Sequence, residues 1–146
     1  MKIALGCDHG ALALKTDLIP HLEKLGYEVK DFGTYTYDSC DYPDFAGPAA
    51  QAVASGECEK GIVLCTTGIG VSITANKVKG IRCALVHDLL TARMTRQHNN
   101  TNVLAMGAGI IGEMTALQIA DIWLETEFEG GRHERRVNKV MALEQE

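Results

Sequence analysis

Residues 60–77, KGIVLCTTGIGVSITANK, have the pattern of a buried strand, a glycine turn and the start of a helix. The strand is the apolar run at 61–64, which ends at Cys65, and the turn contains Gly68 and Gly70. A strand that enters a helix through glycines directs free backbone N–H groups and the positive end of the helix toward one point. We therefore expect this turn to suit a phosphate or an enediolate oxygen.

Cys65 lies at the edge of that point. Amide dipoles around a thiol favour its thiolate, which could act as a base or a nucleophile. The same pattern also fits a tight strand-to-helix turn that buries a small cysteine and has no chemical role. Spacing alone leaves both interpretations open.

The rest of the chain alternates between strand and helix patterns. Short apolar or alternating runs predict strands at 2–6, 27–32, 60–65, 81–86 and 102–106. Between and after these runs we expect a helix that Gly26 ends, a helix that Pro43 opens, helices at 88–97 and 112–125, and a helical tail. This order predicts an α/β fold in three layers, with a five-stranded parallel sheet covered on both faces. We expect residues 1–146 to form one domain.

The bulk composition limits the classes of function. A net charge of −5 argues against nonspecific nucleic-acid binding, so any anion site must be built locally. No apolar run approaches the ~20 residues that cross a bilayer, and MKIALGCDHG has no signal-peptide layout, which predicts a cytoplasmic protein without a membrane partner. The five cysteines have no CxxC spacing, which argues against a disulfide scaffold or a zinc knuckle.

The ends of the predicted strands carry polar residues. Ligands of parallel α/β sheets bind beyond the carboxyl ends of the strands, so these residues are candidates for a site. They are Asp8 and His9, Cys65 and Thr67, and His87 and Asp88. The last pair matches no catalytic motif, and we expect it either to be structural or to support a neighbouring residue of the site.

The tail after Gly131 begins with a basic helix. Arg132 and Arg136 are four positions apart, so they share a helical face and could clamp a phosphate. They also fit a solvated face that pairs with Glu129 or Glu134. Apolar residues further along have helical spacing and could pack on a partner subunit: Val137, Val140, Met141 and Leu143.

Three familiar motifs are incomplete. Residues 107–112, GAGIIG, match the dinucleotide fingerprint, but no later strand supplies the acidic residue that holds a ribose. A cysteine phosphatase loop would have an arginine where this chain has Val71. The histidines show no HxH or HxxxH pairing, so we expect no metal, and His21 and His133 are expected on the surface.

Five segments form a recognisable set. They are GCDHGA at 6–11, DYPDFA at 41–46, CTTGIGVSITANK at 65–77, RQHNNTNVLAMG at 96–107 and EGGRHERRV at 129–137. Together they closely resemble the type B ribose-5-phosphate isomerases, in the family that also holds galactose-6-phosphate isomerase subunits. The resemblance implies a Rossmann-like fold, a sugar-phosphate substrate and no metal or organic cofactor. It also implies a homodimer, or a tetramer, with active sites shared between subunits.

The resemblance assigns the chemistry to the central turn. It implies that Cys65 moves a proton between C1 and C2 of ribose 5-phosphate and ribulose 5-phosphate through an enediolate. Thr67 and the amides around Gly68 and Gly70 would stabilise the developing oxyanion.

Other segments are implied to hold and open the sugar. By resemblance, His98 would open the furanose ring, and Asn99 would hold the intermediate. Asp8 and Tyr42 match positions that line the sugar site. The implied phosphate ligands, some of them from the other subunit, are His9, Arg132 and Arg136.

Thr66 departs from the family pattern, which usually has glycine at this position. A β-branched residue disfavours a positive φ and adds bulk beside the substrate path, so we expect it to affect the turn and the preferred sugar length.

The sequence leaves two alternative functions open. One is the same chemistry on a hexose 6-phosphate, such as allose or galactose 6-phosphate, and the other is a noncatalytic sugar-phosphate sensor.

Overall fold

Strands and helices alternate along the chain in the predicted order. The structure is a computed structural model and describes residues 1–145. The strands are β1 (Lys2–Cys7), β2 (Glu28–Asp31), β3 (Lys60–Cys65), β4 (Cys83–Leu85) and β5 (Val103–Gly107). The helices are α1 (Leu12–Lys24), α2 (Pro43–Ala54), α3 (Ile69–Asn76), α4 (Leu89–Asn99), α5 (Glu113–Glu125) and α6 (Arg132–Ala142). Single 3-10 turns lie at His9–Ala11 and Leu143–Gln145.

The five strands are parallel and form one sheet in the order β2-β1-β3-β5-β4. The central strand is β3, which lies between β1 and β5 and ends at Cys65. In the register of the sheet, Cys65 is opposite Gly107, and Leu64 is opposite Cys7. The sheet confirms the predicted α/β class. It puts the turn at residues 65–70, which we call the Cys65 turn, at the middle of its carboxyl edge.

The core has two layers, one on each face of the sheet. Side chains alternate along β3, so Ile62 and Leu64 pack toward α1 and α5, whereas Cys65 packs toward α2 and α3. Each fully buried leucine of α1, such as Leu18 or Leu22, contributes roughly 1.5–3 kcal/mol relative to an exposed one. Among residues 1–145, none of the helices is long and apolar enough to cross a membrane.

The edge strand β4 is shorter than the predicted strand at 81–86, because side chains replace backbone partners at its start. The Oδ1 atom of Asn102 accepts from the backbone N–H of Arg82 at 2.8 Å. The side chain of Asn76 accepts from the N–H of Cys83 at 2.8 Å and donates to the carbonyl of the same residue at 3.0 Å. Asn76 therefore occupies the side of β4 that faces away from β5.

Helix α4 runs from the carboxyl edge of the sheet to the opposite edge. It begins after Asp88, whose Oδ1 accepts from the N–H of Thr91 at 2.7 Å. It ends at Asn99, and Asn100 then takes the left-handed conformation, with a φ of 47°. The last turn of α4, which carries His98, therefore lies at the end of the sheet opposite Cys65.

Candidate active site

The sulfur of Cys65 receives a hydrogen bond from the turn that follows it. The side chain is buried, and the backbone N–H of Gly68 donates to Sγ with an N···S distance of 3.1 Å. Gly68 has a φ of 78°, and a Cβ atom there would lie 2.9 Å from the nitrogen of Gly107. The close approach to β5 and the left-handed backbone both require glycine at this position. The turn thus directs an amide dipole at the thiol.

Thr67 and Tyr42 border the same turn. The Oγ1 atom of Thr67 accepts from the N–H of Ile69 at 3.2 Å, so its own hydroxyl hydrogen is free to donate to another group. The ring of Tyr42 lies over Gly70, where an added Cβ would be 2.6 Å from the ring atom Cζ. The first turn of α3 therefore has an aromatic ring and a hydroxyl group next to it.

Asp8 and His9 complete this edge of the sheet. The N–H of Asp8 donates to the carbonyl of Leu64 at 3.3 Å, and its Oδ1 accepts from the N–H of Gly10 at 3.0 Å. The Nδ1 atom of His9 accepts from the backbone N–H of Cys40 at 3.2 Å. Of the residues that the sequence singles out, the structure brings seven together here: Asp8, His9, Tyr42, Cys65, Thr67, Gly68 and Gly70.

Thr66 does not have the strained backbone that the sequence suggests. Among residues 1–145, the non-glycine residue with a positive φ is Asn100, and the left-handed position of the turn is Gly68. The Thr66 side chain instead lies between two glycines. A Cβ on Gly10 would collide with its Oγ1, and a Cβ on Gly109 would lie 2.9 Å from its Cγ2.

His98 and Asn99 belong to a second cluster, in a groove of about 660 Å³ lined by α4, α6 and the start of β4. Arg136 lines the same groove, and Arg132 is one turn earlier on α6. The rings of His98 and His133 are stacked, with centroids 4.2 Å apart and an interplanar angle of 11°. The expectation that His133 lies on the surface is wrong, because its side chain is only 12% exposed.

Glu129 lies beside the Nε2 edges of the two stacked rings. Its Oε1 atom is 3.9 Å from Nε2 of His98 and 3.5 Å from Nε2 of His133. Burial, together with the nearby His98 and Arg132, lowers the pKa of His133, and the Glu129 carboxylate opposes that shift. Among the described residues, the Glu129 carboxylate thus lies next to histidine nitrogens, whereas the sequence suggests that it pairs with arginines.

Among residues 1–145, His98, Glu129 and His133 form a group that could hold a metal ion. The candidate ligand atoms of His98, Glu129 and His133 all lie within 4.8 Å of one another. Motif spacing misses the cluster, because its members come from α4, from a loop and from α6. The positive charge of Arg132, which helps to lower the pKa of His133, also opposes a cation at this position.

His87 and Asp88 lie at the carboxyl edge, as the sequence predicts. Asp88 caps α4, and the hydrogen bond from the N–H of Thr91 lowers the pKa of its carboxyl group. The Nε2 atom of His87 accepts from the backbone N–H of Gly107 at 3.0 Å. Both residues therefore have defined structural contacts.

Within one chain, the two clusters stay at opposite ends of the sheet. The first surrounds Cys65 at the carboxyl end of β3, whereas the groove includes Arg82 and Cys83, which precede and begin β4. The direction of α4 separates them, because its first turn is near one edge and its last turn is near the other. One chain thus presents two separate clusters.

Known proteins match this chain over nearly its full length. A family profile described as Ribose/Galactose Isomerase matches residues 3–140. Ribose-5-phosphate isomerase B of Escherichia coli (strain K12) is 47% identical over 144 residues, 99% of this chain and 97% of that protein. The galactose-6-phosphate isomerase subunit LacB of Clostridium acetobutylicum is 42% identical over 139 residues, 95% of this chain and 80% of that protein. A solved structure of Clostridium thermocellum ribose-5-phosphate isomerase B has a TM-score of 0.98 at 52% identity, over 99% of this chain and 98% of that one.

Proposed function

We propose, since the chain belongs to the ribose/galactose isomerase family of sugar-phosphate isomerases, that it interconverts ribose 5-phosphate and ribulose 5-phosphate. The observation that carries the mechanism is the hydrogen bond from the Gly68 N–H to the sulfur of Cys65. A donor aimed at a buried sulfur stabilises the thiolate, which is the form that can accept a proton. Cys65 is therefore the base of the proposed reaction.

The proton moves between neighbouring carbons of the open-chain sugar. The Cys65 thiolate takes the C2 proton of the aldose, the C–H electron pair forms the C1=C2 bond, and the carbonyl electrons move to O1. O1 then gains a proton, O2 loses one, and the thiol returns its proton to C1, which restores the thiolate. The Thr67 hydroxyl and the backbone N–H of Gly70 stabilise the negative oxygen of the enediolate, because the Gly68 and Ile69 amides already donate to Cys65 and Thr67.

The first cluster also contains groups for the rest of the sugar. His9 accepts a hydrogen bond at Nδ1, so its neutral ring carries the proton on Nε2 and can donate to a phosphate oxygen. Asp8 and Tyr42, on either side of the turn, are placed by this proposal against the sugar hydroxyls. These contacts hold the substrate so that C1 and C2 lie near the sulfur.

The second cluster supplies ring opening and further phosphate binding. His98 exchanges protons with the ring oxygen and the C1 hydroxyl, and Asn99 holds the opened intermediate. Arg132 and Arg136, four residues apart on α6, bind the phosphate dianion. Because one chain keeps the two clusters apart, His98 and Asn99 of a second copy complete the site around Cys65.

A row of exposed apolar side chains favours such a dimer. Ile69 and Ile73 on α3 are 52% and 55% exposed, and Leu90 on α4 is 61% exposed. With Leu89 and Met94 they line the β4 edge of the sheet, beside the Cys65 turn. A homodimer would bury this surface, whereas a monomer leaves it in water.

Isomerase assays with three sugars test the proposal. We expect fast turnover of ribose 5-phosphate that persists in EDTA, and loss of turnover with retained substrate binding in Cys65→Ala. A preference for allose or galactose 6-phosphate would move the assignment to the hexose activity that the name of the Clostridium acetobutylicum relative describes. Binding without turnover of any of the three sugars would favour the noncatalytic sensor.

A further inference from the structure

His87 takes the place of a backbone acceptor at the end of the sheet. The last backbone–backbone hydrogen bond between the β4 segment and β5 runs from the N–H of Val86 to the carbonyl of Ala105, at 3.0 Å. Two residues further along β5, the N–H of Gly107 would donate to the next carbonyl of β4 if that strand continued. It donates instead to Nε2 of His87, at 3.0 Å, because the chain turns away there to begin α4.

Gly107 in turn supports the Cys65 turn. A Cβ on Gly107 would lie 2.5 Å from the carbonyl carbon of Thr67, so the two backbones are in direct contact. The next two residues of the chain donate to the turn: the N–H of Ala108 to the carbonyl of Cys65 at 2.9 Å, and the N–H of Gly109 to the carbonyl of Thr66 at 2.8 Å. Movement of Gly107 would therefore shift the backbone of the turn from Cys65 to Thr67.

We propose that His87 is a positioning residue that keeps the Cys65 turn in its reactive geometry. The proposal rests on the proposed role of Cys65 as the base. Among residues 1–145, the hydrogen bond of the imidazole is with the backbone of Gly107, and His87 acts through that residue. Without it, the N–H of Gly107 loses its acceptor, and the turn is free to move away from the geometry in which the Gly68 N–H points at Cys65.

Three substitutions separate this role from simple packing. His87→Gln keeps an acceptor at the distance of Nε2, His87→Leu keeps the bulk without an acceptor, and His87→Asn has a polar side chain that is too short to reach Gly107. We expect His87→Leu and His87→Asn to lower kcat by about tenfold or more with KM changed less than about twofold, and His87→Gln to recover most of the loss.

A second readout does not depend on turnover. Alkylation of Cys65 by iodoacetamide, followed by mass spectrometry of the peptide that contains it, reports the reactivity of the thiolate. We expect alkylation of Cys65 to slow in His87→Leu and His87→Asn by about threefold or more, and to recover in His87→Gln. Melting temperatures of the full-length variants show which ones are folded, and the polar pair of Gln and Asn remains informative if the Leu variant does not fold.

Two results would overturn the role of His87. One is wild-type kcat and wild-type Cys65 alkylation in His87→Asn, and the other is an equal loss of both in His87→Gln and His87→Asn. Retained turnover in Cys65→Ala would instead contradict the proposed base. The alkylation rates of the His87 variants still test the positioning in that case.

Discussion

Gly68 and Gly107 face each other at a point where neither has room for a side chain. A Cβ on Gly68 would lie 2.9 Å from the nitrogen of Gly107, and a Cβ on Gly107 would lie 2.6 Å from the carbonyl oxygen of Thr67. The Cys65 turn and the end of β5 are therefore in contact through backbone alone. A side chain at either position must push the turn away from the strand.

Gly68→Ala tests this contact against a matched control. Gly56 has a similar φ, 85° against 78°, but a Cβ there would have nothing within 4 Å. We expect Gly56→Ala to cost about 1 kcal/mol of unfolding free energy, and Gly68→Ala to cost about 2–4 kcal/mol with at least a tenfold loss of kcat. Urea denaturation and steady-state kinetics measure both variants, and equal effects of the two substitutions would contradict the contact.

The proposed sharing of each site between two chains predicts complementation between two inactive variants. Cys65→Ala and His98→Asn should each be inactive as homodimers, but a mixed dimer has one site with both residues intact. Unfolding and refolding the two together at equal amounts should restore about a quarter of wild-type activity, because half of the dimers are mixed and each has one working site of two. Activity that stays at background, with mixed dimers confirmed by native mass spectrometry, would show that each site is built from one chain.

Ring opening and proton transfer can be separated by the choice of substrate. Ribulose 5-phosphate cannot close a five-membered ring, because its C5 oxygen carries the phosphate. In D2O we expect His98→Asn to retain most of the exchange of the C1 proton of ribulose 5-phosphate while losing at least about tenfold in turnover of ribose 5-phosphate. Cys65→Ala should lose both, as followed by proton NMR. Equal losses of exchange and turnover in His98→Asn would place His98 in the proton transfer itself.

The burial of Lys60 predicts that the free energy of unfolding depends on pH. Burial, with a smaller contribution from Arg96, lowers its pKa from 10.5 to about 8, so the folded state disfavours the charged form. The cost is fully present below pH 8 and disappears as the pH rises toward 10.5, where Lys60 is neutral in both states. Lys60→Met should therefore raise the unfolding free energy by about 1–3 kcal/mol at pH 7, less any loss of the contact between Lys60 and the Trp123 ring.

The control for Lys60 is Lys24, which is exposed at the end of α1. The difference between wild type and Lys24→Met should stay constant from pH 7 to pH 10.5. The difference for Lys60→Met should shrink over the same range. A constant difference for both variants would mean that Lys60 is not destabilised by its burial.

Local patterns in the sequence account for most of the fold. The apolar run before Cys65, the helix end at Gly26 and the start at Pro43 are properties of neighbouring residues, so the order of strands and helices can be read directly. The limits of β4 could not be predicted, because Asn76 and Asn102 act on it from other elements. Sequence spacing says nothing about which side chains of separate elements will replace backbone partners.

The candidate site also has one part that the sequence predicts and one part that it does not. Cys65, Thr67 and Gly68 lie close together in the chain, so a pattern around one turn could predict them together. The stacking of His133 on His98, with the Glu129 carboxylate near Nε2 of both rings, joins residues from separate segments, and charge or motif spacing could not reveal it. The resemblance to a known family predicts roles for His98 and Asn99, whereas the proposed role of His87 depends on a single contact to Gly107 that only the fold creates.

The side chain of Asn76 has a consequence for how copies of this chain can associate. An unpaired strand at the edge of a sheet is a template for intermolecular sheet extension, which leads to aggregation. Here the amide of Asn76 already occupies the outward N–H and C=O of Cys83, at the start of this edge strand. A second copy can therefore cover the exposed apolar surface with side chains, but Asn76 blocks the addition of a strand at Cys83, which favours a closed assembly over an open-ended fibre.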